Sequence, residues 1–115
     1  MKAFAALSAL TLFAGLASAA TVNGILMDKM CSAKAVSGGQ SVAAAHDTKC
    51  ALMPPCQQSG YGVLTADNKF IAFDSAGNDK ALVALKATKK TDDLKVRVTG
   101  DVTGDTIKVS SLKLE

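Results

Sequence analysis

The chain has 115 residues, 49% of them hydrophobic and 20% charged, and carries a formal charge of +3 at neutral pH. Thirteen basic residues, of which Lys2 belongs to an N-terminal leader, stand against ten acidic ones, a dispersed surplus too weak to form a nucleic-acid surface. There is no Trp and one Tyr, and beyond the leader only Phe70 and Phe73 remain, which excludes an aromatic platform for stacking bases or sugars.

The leader comes first in chain order. Lys2 gives a positive start, Ala3 to Leu16 is an apolar run interrupted by Ser8, Thr11 and Gly15, and Ala17-Ser18-Ala19 supplies small residues at a cleavage site. This pattern predicts a secretory signal peptide over residues 1–19, cut after Ala19 or Ala20. A spanning helix needs about 20 predominantly apolar residues, so no membrane span is expected after cleavage. A periplasmic or secreted location follows.

Residues 20–115 then form a single domain whose one core buries roughly 60 to 68% of the unfolded chain's surface. All three cysteines, Cys31, Cys50 and Cys56, lie in it. An odd count in an oxidising compartment means one bridge and a free thiol, an intermolecular bridge, or thiolates committed to another partner.

Thr21 to Met27 reads as a strand, with Gly24 marking a bulge or a close backbone approach. The connection from residue 28 to 59 is long and poorly periodic; it holds every cysteine, the only histidine and both prolines. Connections of this length are functional or contain structure of their own. Within it, QSVAAAHDTKCALM has good helix formers and is stopped by Pro54. On such a helix Val42, His46, Cys50 and Met53 share one face.

YGVLT and KFIAF are two short runs joined by Ala66-Asp67-Asn68, a hairpin pattern. Asn78 or Asp79 is the expected cap of a helix over DKALVALKAT, with Leu82, Val83 and Leu85 inward and Lys80, Lys86 and Lys89 in water. The tail predicts a second hairpin about Thr103-Gly104-Asp105. Leu94, Val96 and Val98 face inward and pair with TIKVSSLKLE, where a bulge near Ser110 and Ser111 moves Leu112 and Leu114 onto the face that Ile107 and Val109 occupied. The expected fold is therefore mainly β: a small five-stranded, OB-like barrel with one helix between the third and fourth strands.

TVNGILMDKMC, HDTKC, CQQSGYGVLTADNKFIAFD and VRVTGDVTGDTIKVSSL together resemble a group of small exported bacterial proteins of unknown function. Their pattern runs Asp-x-x-Cys, His, Cys, Cys, then a terminal Val-x-Val hairpin. The resemblance covers nearly all of residues 20–115 and implies an OB-like barrel with Asp28, Cys31, His46, Cys50 and Cys56 as its notable polar positions. It implies no activity.

Read from the residues themselves, the connection supports three chemistries. Cys31, His46, Cys50 and Cys56 make a complete four-coordinate shell for Zn(II), although only His46 and Cys50 stand at a helical step and no short Cys-x2-4-Cys knuckle is present. Cu(I) is the variant, because Met27, Met30 and Met53 each lie within four residues of a cysteine and soft sulfur ligands select it; core filling is the simpler use for those methionines. Alternatively a disulfide staples the loop. Cys50 with Cys56 would remove about 2.4 kcal/mol of unfolded-chain entropy, and Cys31 with Cys56 about 3.5 kcal/mol. Third and weakest, Cys31 with His46 and Asp28 or Asp47 has the atoms of a thiol enzyme, but no recognised catalytic motif accompanies them, so no catalytic role is expected. The expected protein is a monomeric exported binding module for a metal ion or an unidentified small ligand, the alternative a disulfide-stapled structural or stress-related envelope protein.

Overall fold

A computed structural model describes residues 19–115; the signal peptide expected over residues 1–19 lies, up to Ser18, outside the described residues. Five strands close into a barrel in the order β1-β2-β3-β5-β4. They are β1 (Ala20–Asp28), β2 (Tyr61–Leu64), β3 (Phe70–Phe73), β4 (Lys95–Thr103) and β5 (Thr106–Leu114). Neighbours are antiparallel except β3 and β5, which run parallel and close the ring. Helices α1 (Lys29–Gly38), α2 (Gln40–Ala45), α3 (Thr48–Ala51) and α4 (Pro54–Ser59) fill the first connection, and α5 (Ser75–Ala87) joins β3 to β4.

The barrel is filled by the alternation that the sequence displays. Leu94, Val96 and Val98 are buried, as are Ile107 and Val109 of β5, and Leu26, Val63 and Leu85 lie in the same interior. The expected shift of face occurs where Thr99 pairs with Ser111 and Gly100 with Val109, leaving Ser110 unpaired. Beyond that bulge Leu112 and Leu114 pack against the core. Gly24 sits in unbroken register and marks a close approach rather than a bulge: a β-carbon there would overlap the carbonyl of Leu64. The first hairpin turns through Asn68, whose φ of 63° is tolerated by asparagine.

Three expectations are corrected. The domain is not mainly β, because about 40% of the described residues are helical against 36% in strands, the excess lying in the four helices of the first connection. The helix after β3 begins four residues earlier than expected, since Asp74, not Asn78 or Asp79, is its cap and accepts from the Gly77 amide at 3.0 Å. Its buried face also differs from the expected one: Gly77, Ala81 and Leu85 point inward, Leu82 is half-buried, and Val83 is 68% exposed. Asn78 is used elsewhere. Its Oδ1 accepts the Tyr61 amide at 2.8 Å and fixes the start of β2.

Third, QSVAAAHDTKCALM is not one helix. His46 is extended (φ −66°, ψ 126°) and ends α2, and Asp47 caps α3 by accepting the Cys50 amide at 2.7 Å. An aspartate whose side chain satisfies the amide three residues on offers the backbone a fresh start in place of continuation. The anticipated face of Val42, His46, Cys50 and Met53 is therefore replaced by a broken turn. It still brings Val42, His46 and Cys50 to one cleft, without Met53.

Candidate functional site

The site grows from the inner end of β1. Ile25, Leu26, Met27 and Asp28 are all buried, so the strand carries a carboxylate into the protein at its last residue. Asp28 pairs with Tyr61 across the β1–β2 ladder, and the next amide, Lys29, donates to the Gly60 carbonyl at 2.8 Å. Extended backbone at Asp28 lets its Oδ2 accept the Cys31 amide at 2.9 Å, which caps α1. Asp-x-x-Cys is thus first a helix start. Cys31, at the third helical position, is held directly beside the capping carboxylate.

The second sulfur arrives on α4, started by Pro54 and Pro55 at its first positions, where a missing amide costs nothing. Ser59 ties this helix to α1: its hydroxyl donates to the Cys56 carbonyl at 2.8 Å and accepts the Met30 amide at 3.2 Å. Opposite them, α1 packs on α2 through Ala35 and Ala43, both fully buried against Ile25, Met27 and Leu64. The break after α2 then returns His46 toward β1.

Donor atoms of Asp28, Cys31 and Cys56 lie within 4.8 Å of one another. Nε2 of His46 stands 2.8 Å from Asp28 Oδ1, with 6% of the histidine side chain and none of the aspartate's exposed. The two buried atoms face each other, and neither has another hydrogen-bond partner among the described residues. Cys50 is exposed and stands outside the set of three. It lines a cleft of ≈ 450 Å³ with Met27, Cys31, Lys34, His46 and Asp47. All three cysteines are free thiols.

Charge and burial explain the acidities. Burial by itself would raise the Asp28 carboxyl, but the His46 imidazole and the Cys31 amide outweigh it and hold the group below the usual carboxylate range. The same carboxylate acts on its neighbours. Burial, then the Asp28 charge, pushes the Cys31 thiol up to about 11; the same two causes raise Cys56. A hydrogen bond with Asp47 is the main cause that raises Cys50. Tyr61, whose hydroxyl donates to the Ala51 carbonyl at 2.6 Å, is pushed up to about 12 by burial and then by Asp28.

Thiols held protonated are poor nucleophiles, because the thiolate is the reactive species. A metal ion reverses that balance by displacing the protons. Of the four residues expected to ligate, Cys31 and Cys56 come together, His46 joins them through Asp28, and Cys50 stands at the mouth. Sequence reasoning placed Asp28 only as an orienting carboxylate and missed it as a donor. The signal was present in Asp-x-x-Cys, which sets a carboxylate and a thiol on the same helix start.

A comparison of the chain with protein-family models, with curated proteins and with solved structures finds no match. Among the described residues no helix is long and apolar enough to cross a membrane.

Proposed function

We propose that this is an exported, OB-like domain that binds one transition-metal ion, Zn(II) or Cu(I), at the junction of β1, α1 and α4. The strand order and the helix between β3 and β4 support the OB-like reading; the leader sequence supports export to the periplasm or beyond. The observation that carries the metal reading is the convergence of the Asp28, Cys31 and Cys56 donors within 4.8 Å. Tetrahedral zinc with Zn–S bonds near 2.3 Å sets sulfurs about 3.8 Å apart, so closing on an ion takes a contraction of about 1 Å or less. His46 completes the donor chemistry beside Asp28, in the carboxylate–histidine pairing that commonly orients metal ligands.

Titration of the purified mature protein with Zn(II), and anaerobically with Cu(I), tests this. One ion per chain in native mass spectrometry, lost on acidification and weakened by at least about tenfold in Cys56→Ser, more than the loss of an outer-shell partner would cause, is the expected result. A protein that takes up neither ion ends the reading.

The same sulfur pair favours a second reading, a structural envelope protein stapled by a disulfide. Cys31 and Cys56 are the neighbours in the donor set, so they are better placed to pair than the sequence-adjacent Cys50 and Cys56. Peptide mapping of protein isolated from the periplasm distinguishes the readings: a Cys31–Cys56 bridge with a two-hydrogen mass deficit and no metal supports the staple.

A further inference from the structure

We propose that Cys50 is the port of this site, through which the domain exchanges a soft monovalent ion such as Cu(I) with thiolate-bearing donors and acceptors. This makes it an ion-transfer module rather than a fixed structural site, and it rests on the metal reading given above. The three thiols are graded in access: Cys50 is exposed, Cys31 intermediate and Cys56 buried. They are also graded in depth. Cys50 and Cys31 line the same cleft with His46, and Cys31 in turn belongs to the inner set with Asp28 and Cys56. Closed structural zinc sites hold all four protein ligands at once, whereas here one sulfur remains in solvent beside the others.

Two further observations tie the cleft to the inner set. His46 is a cleft-lining residue with only 6% of its side chain exposed, and its Nε2 stands 2.8 Å from Asp28 Oδ1, so the cleft opens onto the buried carboxylate beside Cys31 and Cys56. Cys31 and Cys50 put two soft thiols on this one cleft, and soft sulfur ligands select Cu(I) over harder ions. The Asp47 carboxylate holds the Cys50 amide at 2.7 Å, so the port sulfur is carried on a fixed helix start.

The transfer involves no change of oxidation state. An ion arriving on a donor thiolate gains a bond to Cys50, whose thiol gives its proton to water. The bond to the donor then breaks and that sulfur is reprotonated. The same exchange, repeated with Cys31 and Cys56 as incoming ligands, moves the ion inward; reversed, it delivers the ion to an acceptor.

Stopped-flow uptake from Cu(I)–bicinchoninate, and release to excess bicinchoninate, measured anaerobically beside equilibrium titration, test the proposal. Cys50→Ser should slow both uptake and release by about tenfold or more while leaving the dissociation constant within about threefold. Cys56→Ser should instead weaken equilibrium binding by at least about tenfold. Wild-type rates in Cys50→Ser overturn the port, and so does a loss of affinity in Cys50→Ser equal to that in Cys56→Ser, which makes Cys50 a fixed ligand. Wild-type protein that takes up no Cu(I), yet binds Zn(II), overturns the transfer proposal alone; binding of neither ion overturns it together with the metal reading.

Discussion

Nε2 of His46, from the break between α2 and α3, sits 2.8 Å from Oδ1 of Asp28, the residue that caps α1. One carboxylate therefore starts a helix through one oxygen and receives the only histidine of the chain through the other. Replacing Asp28 by Ala removes the cap and leaves the buried imidazole without its neighbour, a loss of about 2–4 kcal/mol in all. Asp28→Asn keeps a capping oxygen and should lose less. It also removes the charge that raises Cys31, so the Cys31 thiol should titrate below about 11. Urea unfolding with an unchanged m-value, and thiolate absorbance against pH, check the two expectations.

The pH dependence of stability follows from the same group. The Asp28 carboxyl is depressed in the folded protein, so its contribution is complete above the unfolded value of about 3.9 and is lost as pH falls through the lower folded value. On the alkaline side the sign is opposite. Cys31 is raised from 9.0 to about 11 and Tyr61 from 10.0 to about 12, so the unfolded chain releases these protons first and stability declines from pH 9 through 12. His46→Ala should flatten the acid limb, because it removes the largest of the causes that hold the Asp28 carboxyl down. Cys31→Ser should flatten the lower part of the alkaline limb. Unfolding free energies measured across pH would disprove the assignment if neither variant changed its limb.

The rotated face of α5 separates two neighbouring aliphatic residues. Leu85 is 1% exposed and Val83 68%, so Leu85→Ala should cost about 2–5 kcal/mol through cavity formation. Val83→Ala should stay within about 0.5 kcal/mol. Thermal or urea denaturation of the two variants gives the comparison, and equal costs would restore the face expected from the sequence.

Gly24→Ala tests the closure of the barrel. Its β-carbon would meet the Leu64 carbonyl and the Val63 side chain, both on the neighbouring strand, which has no flexible end to move aside. A loss of about 1–3 kcal/mol or more is expected, seen as a lower denaturation midpoint or a failure to accumulate folded protein.

Ser59 joins the helices that carry the two inner sulfurs. Ser59→Ala should cost about 0.5–1.5 kcal/mol for its hydrogen bonds. It should also slow formation of a Cys31–Cys56 disulfide under a glutathione redox buffer, because α1 and α4 lose their link. Quantifying the bridge by peptide mapping over time checks this; an unchanged rate would show that packing alone positions the pair.

The strands were legible because their information is local. Alternation in Leu94, Val96 and Val98 specifies a half-buried strand from a few consecutive residues, and the change of phase after Val109 located the bulge that the β4–β5 register contains. Helix boundaries were less legible. Asp74 and Asn78 are both credible caps in isolation, and the choice depends on Asn78 being needed to hold the Tyr61 amide, a contact between distant segments. The helix α1 escaped notice for a related reason. KMCSAKAVSG has little amphipathic pattern, and its start is determined by a carboxylate at the end of a strand.

By itself the sequence determined that five strands with a helix before the fourth build the fold, and that every thiol and the imidazole lie in one connection. These are properties of composition, short-range periodicity and chain order. Only the tertiary structure decided which of those groups meet. Asp28, Cys31 and Cys56 converge because closure of β1 on β2 and the docking of α4 on α1 bring together residues far apart in the chain, and Cys50 stays outside because Asp47 starts a new helix at the cleft. Distances of that kind depend on how whole elements pack, and residue spacing along a broken, weakly periodic segment carries no record of them.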